Sequence, residues 1–234
     1  MDPCHATWAD WMERVWAADR PVHVLDVCCG SGLMARELLE RGYSITGIDA
    51  SRAMLTKAHQ ILGDAVPLVL AELPDLPLRG PYDAVVSTLD GLNYLDPPGL
   101  QATFATLAKT LRPGGIFIFD LHTDATLGFL AAHPTIQGVH EDHDFVLRTS
   151  IDARWCATSI TFHGSGESFT ELHTQYVHAA ADTRSALQAA GFSDVKVFDE
   201  YTDSSLSAES LRATWVARRD GVPRVGFEPT LDGV

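Results

Sequence analysis

The stretch Val24-Leu25-Asp26-Val27-Cys28-Cys29-Gly30-Ser31-Gly32 constrains this chain more than any other. A short apolar run passes into a tight loop with two glycines, and a helical pattern from about Ser31 to Arg41 follows. That order is a buried strand feeding a helix through a loop whose backbone can approach a ligand closely. A strand apolar on both faces must be covered on both faces, so helices are expected above and below its sheet.

The rest of the chain keeps the same rhythm. An amphipathic lead-in helix is expected over residues 5–18, where Trp8, Trp11, Val15 and Trp16 fall at helical spacing. A second strand covers Tyr43–Asp49, and Ser51 is placed to cap a helix reaching about Leu62. Val66–Ala71 and Tyr82–Thr88 read as further strands. A helix over Pro98–Thr110, a turn at Arg112–Gly115 and a fifth strand at Ile116–Leu121 follow. Between about Val139 and Val177 the pattern changes to partial alternation with a turn at Gly164-Ser165-Gly166, which predicts an antiparallel meander of two or three strands. A helix at Ala180–Ala190 stops at Gly191, and Val195–Tyr201 and Leu211–Arg218 are placed to close the sheet. One domain over residues 1–219 is expected, with 220–234 a tail lacking periodicity.

With 234 residues and a net charge of −14, the chain is acidic enough to repel a phosphate backbone. Nucleic acid is therefore not the expected partner, and a neutral or cationic small molecule is. No apolar run reaches the ~20 residues of a membrane span, and no secretory leader is visible, so a cytoplasmic protein without membrane attachment is expected. Self-association into a homodimer is compatible with the sequence. Cys4, Cys28, Cys29 and Cys156 form neither a zinc pattern nor a disulfide framework. The run His140-Glu141-Asp142-His143-Asp144 reads as a solvated turn, because neighbouring strand residues point to opposite faces and cannot converge on one ion; no metal is expected.

Taken alone, Gly30-x-Gly32-x-x-Ala35 also satisfies a dinucleotide fingerprint. Two carboxylates decide between ligands. Asp26 sits inside the strand just ahead of the loop, where it suits an ammonium group and repels a pyrophosphate. Asp49 ends the second strand, near the ~20-residue interval at which an acidic residue meets ribose hydroxyls. A ligand with a ribose at one end and a cation at the other is S-adenosylmethionine (SAM).

The sequence here resembles the class I SAM-dependent methyltransferases of small-molecule type, over most of residues 22–218. The resemblance implies a Rossmann-like α/β sheet flanked by helices, with a small antiparallel insertion after the fifth strand. It implies Asp26, Cys28, Gly30 and Gly32 around the methionine end of SAM, Cys28 standing where relatives carry glycine. Gly47-Ile48-Asp49-Ala50-Ser51 with Met54 resembles the second motif, implying Asp49 on the ribose and Ala50 and Met54 beside the adenine. Ala71-Glu72-Leu73-Pro74 looks like the adenine-edge loop, with Glu72 in the usual Asp position and Leu73 next to it. Tyr82–Val86 followed by Leu89-Asp90-Gly91-Leu92-Asn93-Tyr94 resembles the fourth motif and implies Leu89 and Tyr94 against the cofactor. Leu111-Arg112-Pro113-Gly114-Gly115 matches the turn before the fifth strand.

The acceptor side is expected above the carboxyl ends of the strands, around Asn93, Tyr94, Asp120, His122 and the meander. His122 is the candidate base, with Asn93 and Tyr176 as further catalytic candidates. On alternation Glu171, His173 and Gln175 share one face of a strand, and Leu172, Thr174 and Tyr176 the other; the sequence leaves open which faces inward. An aromatic ring of the first helix, taken as Trp11, can close over a sulfonium. N- or O-methylation is the leading reading. The alternatives are intramolecular cyclisation of SAM releasing methylthioadenosine, a nicotinamide oxidoreductase, and a non-catalytic binding module that kept the fold and lost activity.

Overall fold

The computed structural model describes residues 3–77, 80–140, 143–163 and 168–221. In chain order these form α1 (Pro3–Val15), β1 (His23–Val27), α2 (Leu33–Glu40), β2 (Ser44–Asp49), α3 (Arg52–Leu62), β3 (Leu68–Leu70) and β4 (Tyr82–Ser87). Then come α4 (Pro97–Thr110), β5 (Leu111–His122), α5 (Asp124–Ala132), β6 (Thr135–His140), β7 (His143–Asp152), β8 (Trp155–His163) and β9 (Ser168–Tyr176). The last are α6 (Ala180–Ala189), β10 (Phe192–Asp199) and β11 (Arg212–Arg219).

Among the described residues one sheet has seven strands in the order β10-β11-β5-β4-β1-β2-β3. Strands β1 to β5 pair in parallel, and β11 is antiparallel to both β5 and β10. Strand β1 pairs with β2 on one side and β4 on the other, so the direction of winding reverses there and a crevice opens beyond the carboxyl ends of β1 and β4.

Alternation along each strand divides the core in two. Ile116 and Ile118 of β5 pack with Trp8, Trp11, Trp16, Met34 and Leu38 on the α1–α2 side. Phe117 and Phe119 pack with Phe104, Leu107, Phe192 and Trp215 on the α4–α6 side. Helix starts follow local chemistry. Ser51 accepts from the amide of Met54 at the start of α3, and Asp96 accepts from Gly99 at the start of α4, whose first residue is Pro97.

Three expectations change. The meander has four strands, β6 to β9, and begins at Thr135. Its first strand pairs fully with β7, from Thr135 opposite Arg148 onward. Helix α5, absent from the sequence reading, is apolar around most of its surface and so lacks the polar face that marks a helix; a Thr123–Thr126 capping box starts it. Strand β5 takes in the expected Arg112–Gly115 turn, with a register shift against β4 and positive φ at Gly114. The Gly164–Gly166 turn and residues 222–234 of the expected tail lie outside the described residues. So does part of the acidic His140–Asp144 run, and no cluster able to hold a metal occurs among the described residues.

Candidate active site

The loop after β1 is built for close approach. Cys28 adopts φ 58°, Gly30 53° and Gly32 81°, so three left-handed residues fold the chain back before α2. At Gly32, whose φ of 81° already favours glycine, a Cβ would stand 2.7 Å from Leu62 Cδ1 and 3.2 Å from Ala58 Cβ, so a side chain here would press on α3. Gly91 is equally confined: a Cβ there would meet Cys28 Cβ at 2.6 Å. Above the loop opens a cavity of about 670 Å³ lined by Cys28, Gly30, Asp49, Ala50, Met54, Leu89 and Tyr94, together with His5 and His173.

Asp26 lies beneath this loop, 1% exposed, and neither carboxylate oxygen has a hydrogen-bond partner. Burial first, then the charge of Asp49, pushes its pKa up to about 8. A buried carboxylate without partners is a costly feature that a cationic ligand would relieve. Asp49 is held differently: its Oδ2 accepts from the Gly30 amide and its Oδ1 from the Ser51 amide, both at 2.8 Å. Those two bonds tie the β1 loop to the β2 end and leave further acceptor sites on each oxygen for ribose hydroxyls.

Both loop thiols are inert by environment. Burial, then Asp49 and Asp26, pushes Cys28 up to about 12, and Cys29 is raised by burial and the same carboxylates. Iodoacetamide at neutral pH should therefore leave both unlabelled in the folded protein, as peptide mass spectrometry can check. Rapid labelling of Cys28 would contradict this environment.

A second loop, after β4, faces the first. Leu89 and Asp90 both have positive φ, 59° and 62°, and their amides donate to the two oxygens of buried Asp120 at 2.9 and 2.7 Å. Tyr201 donates its hydroxyl to Asp120 Oδ2 at 2.6 Å. Burial and the neighbouring charge of Asp90 push Asp120 up to about 6. Asp90 is clamped by Arg212, whose Nε and Nη2 reach its two oxygens at 2.9 and 2.8 Å, and His122 Nε2 lies 3.0 Å from Asp90 Oδ2. Burial alone would raise Asp90, but these hydrogen bonds and charges outweigh it and hold the carboxyl well below the usual range.

Beside the first cavity lies another of about 410 Å³. Phe129, Leu130, Leu147, Ile160 and Leu211 give it apolar walls, and Tyr94, His122, His173, Gln175, Glu200 and Arg212 a polar side. Glu171, His173 and Gln175 alternate on one face of β9, and it is His173 and Gln175 that look into this cavity. Tyr94 and His173 are, among the described residues, the two that line both cavities.

Five sequence expectations are placed elsewhere. Trp11 is fully buried, donates its Nε1–H to Asp203 and meets Phe198 and Tyr201 edge-on, so it is core and not a lid. Its helix instead presents His5 to the cavity. Glu72 is exposed and Leu73 packs against the α4–α6 core, and neither lines the cavity. Asn93 is fully buried and spends both ends of its amide on backbone: Nδ2 donates to the Tyr176 carbonyl at 2.6 Å and Oδ1 accepts from the His122 amide at 3.1 Å. It positions β9 against β5 and has no group left for a substrate. Tyr176 sits on the opposite face of β9, lining a different, smaller cavity with Pro97 and Arg154. His5, His173 and Arg212 were not singled out by sequence, and only for His173 did alternation carry a signal.

Residues 24–115 match the methyltransferase domain family. YqeM of Bacillus subtilis, a protein named for methyltransferase activity, is 28% identical over 222 residues, which is 91% of this chain and 89% of that protein. The crystal structure of an S-adenosylmethionine-dependent methyltransferase from Clostridium acetobutylicum superposes with a TM-score of 0.87 at 20% identity, covering 94% of each chain. SAM-bound CalS10 of Micromonospora echinaspora, an amino pentose methyltransferase, gives 0.73 at 20% identity over 93% of this chain and 92% of that one. These superpositions agree with the seven-stranded sheet described above.

Proposed function

We propose that this chain is a class I SAM-dependent methyltransferase, as its match to the methyltransferase domain over residues 24–115 and its likeness to YqeM support, and that it methylates a nitrogen or oxygen of a small, partly apolar molecule. The observation that carries the reading is the pair of adjoining cavities, one edged by Asp49 with the partnerless Asp26 carboxylate buried in the strand behind its Cys28–Gly30 lining, the other apolar with one polar side.

The residues of the larger cavity fit SAM. Asp26 would hold the ammonium end, Asp49 the ribose, and Ala50 and Met54 the adenine. SAM supplies an activated methyl on a sulfonium, so no metal is needed for the transfer. The chain's part is alignment of the acceptor and exclusion of water. Asp120 fixes the β4 loop through two backbone amides, and the Arg212–Asp90–His122 cluster closes the wall beyond it.

The second cavity favours an acceptor of modest size, since about 410 Å³ lies at the lower end of small-molecule sites at ~300–1,000 Å³. Its apolar walls suit a hydrocarbon or deoxygenated ring, with the nucleophile turned toward Tyr94 and His173. CalS10, which acts on an amino pentose, is consistent with an acceptor of this class. The acidic charge of −14 disfavours nucleic acid.

Calorimetry with SAM, with its demethylated product S-adenosylhomocysteine (SAH) and with NAD tests the cofactor. We expect micromolar binding of the first two and none of NAD, whose pyrophosphate Asp26 would repel. Incubation with SAM alone should release no methylthioadenosine, whereas addition of amine- and hydroxyl-bearing compounds should yield SAH and a product heavier by one methyl. Methylthioadenosine formed without an acceptor would replace methyl transfer with cyclisation.

A further inference from the structure

We propose that Tyr94, His173 and Glu171 form a proton relay that receives the acceptor's proton at the junction of the two cavities and leads it to solvent. The inference rests on the methyltransferase reading above and adds the residues that complete its chemistry.

Geometry carries it. Tyr94 Oη lies 2.6 Å from His173 Nδ1, and His173 Nε2 lies 3.3 Å from Glu171 Oε2. Tyr94 and His173 are the two described residues that line both cavities, so they stand where methyl donor and acceptor must meet. Tyr94 is 48% exposed, the His173 side chain 28% and the Glu171 side chain 50%, so the chain of bonds dips below the surface at His173 and its far end opens to water. Burial raises the Tyr94 hydroxyl above its usual range, with Asp90 and Glu171 adding to it, so Tyr94 keeps its proton and can act only by passing one on.

The carboxylate fixes the direction. Glu171 can only accept, so it holds the proton of a neutral His173 on Nε2 and leaves the Nδ1 lone pair to accept from Tyr94. As the acceptor's heteroatom bonds to the methyl carbon, the S–CH3 bond breaks and its electron pair stays on sulfur. The acceptor's proton passes to Tyr94 Oη while the tyrosine proton moves to His173 Nδ1. The imidazolium so formed is stabilised by Glu171 and later loses its proton to water. One positive charge is thus present before and after the step.

The other ionisable groups facing these cavities do not offer this path. His122 lines only the acceptor side, and its Nε2 lies on Asp90, which Arg212 also clamps. Glu200 is paired with Arg212 at 2.7 Å. His5 and Asp49 line only the cofactor side.

Nitrogen-15 NMR of the full chain with labelled histidine and bound SAH reads the relay directly. At mildly alkaline pH we expect neutral His173 with the proton on Nε2, and a shift toward mixed tautomers in Glu171→Gln, which alters only an exposed side chain. The proton on Nδ1, or an imidazolium already formed, would overturn the relay. Failure of SAH to bind would overturn the functional reading and the relay with it, whereas bound SAH beside an Nδ1–H ring overturns the relay alone. In turnover of the acceptor returned by the product screen, Tyr94→Phe should lower kcat about 10²-fold while KM for SAM stays within a few-fold. An unchanged kcat would likewise sink it.

Discussion

Asp26→Asn raises the melting temperature of the empty protein and at the same time removes most of its affinity for SAM. The Asp26 carboxyl is 1% exposed, has no partner at either oxygen, and titrates near 8 in the folded chain against an ordinary 3.8. A folded-state pKa above the unfolded one means that folding takes up a proton between those values. Stability is then fully present below about pH 4 and is lost as pH rises toward about 8. At neutral pH asparagine avoids that uptake. The gain is about 3 kcal/mol after allowing for an amide that is itself unpartnered, or about 6–12 °C in melting temperature for a chain of this size. The same change removes the buried carboxyl that the proposed function assigns to the ammonium of SAM, and binding should weaken about 10²–10³-fold. In the unmutated protein, SAM affinity should increase with pH up to about 8, and near pH 6 binding should release about one proton. Scanning calorimetry of both proteins, and titration in buffers of different ionisation enthalpy, check each part. A variant less stable than the parent at neutral pH would mean that Asp26 has a partner when the cavity is empty.

Asp49→Ala should weaken SAM about 10³-fold for a different reason. Asp49 holds the Gly30 and Ser51 amides at 2.8 Å before any ligand arrives, and so shapes the loop as well as taking the ribose in the proposed function. Two charge-assisted bonds to hydroxyls, at ~1.5–3 kcal/mol each, account for a loss of that size. Asp49→Asn separates the roles: its amide oxygen can still accept from one backbone amide, but it cannot accept at both ends. It should lose less than alanine and leave NAD binding absent. Equal SAM affinity in the alanine variant and the parent would place the ribose elsewhere.

Much of this site can be read from sequence because its first half is local. Asp26, Cys28, Gly30 and Asp49 lie on or beside two adjacent parallel strands, and strand–loop–helix periodicity fixes where their side chains stand. The acceptor half is assembled from distant pieces. His173 reaches Tyr94 across 79 positions and Arg212 reaches Asp90 across 122, and no short-range pattern encodes either contact. Alternation on β9 correctly grouped Glu171, His173 and Gln175 but could not choose the inward face. Tyr176 fell on the other side because strand residues one apart point oppositely. Trp11 misled because an aromatic stripe on a helix has the same spacing whether it covers a ligand or a core. Asn93 misled because a buried amide that bridges two backbone segments looks, in sequence, like one that faces a substrate.

The contact of α1 with the segment between β10 and β11 bears on how this protein is made. Trp11 bonds to Asp203 across 192 positions, and Trp8 stacks on Tyr201 with ring centroids 4.4 Å apart. During synthesis α1 leaves the ribosome long before these partners exist, with Trp8 and Trp11 waiting for them for tens of seconds at ~5–20 residues per second. Because Tyr201 also anchors Asp120, and through it the Leu89–Asp90 loop, a nascent chain lacking that last segment would hold the Asp26 and Asp49 motifs without a properly set opposing wall. The emerging chain therefore depends on the segment around Tyr201 and Asp203 both to bury the aromatic surface of α1 and to complete the cofactor cavity.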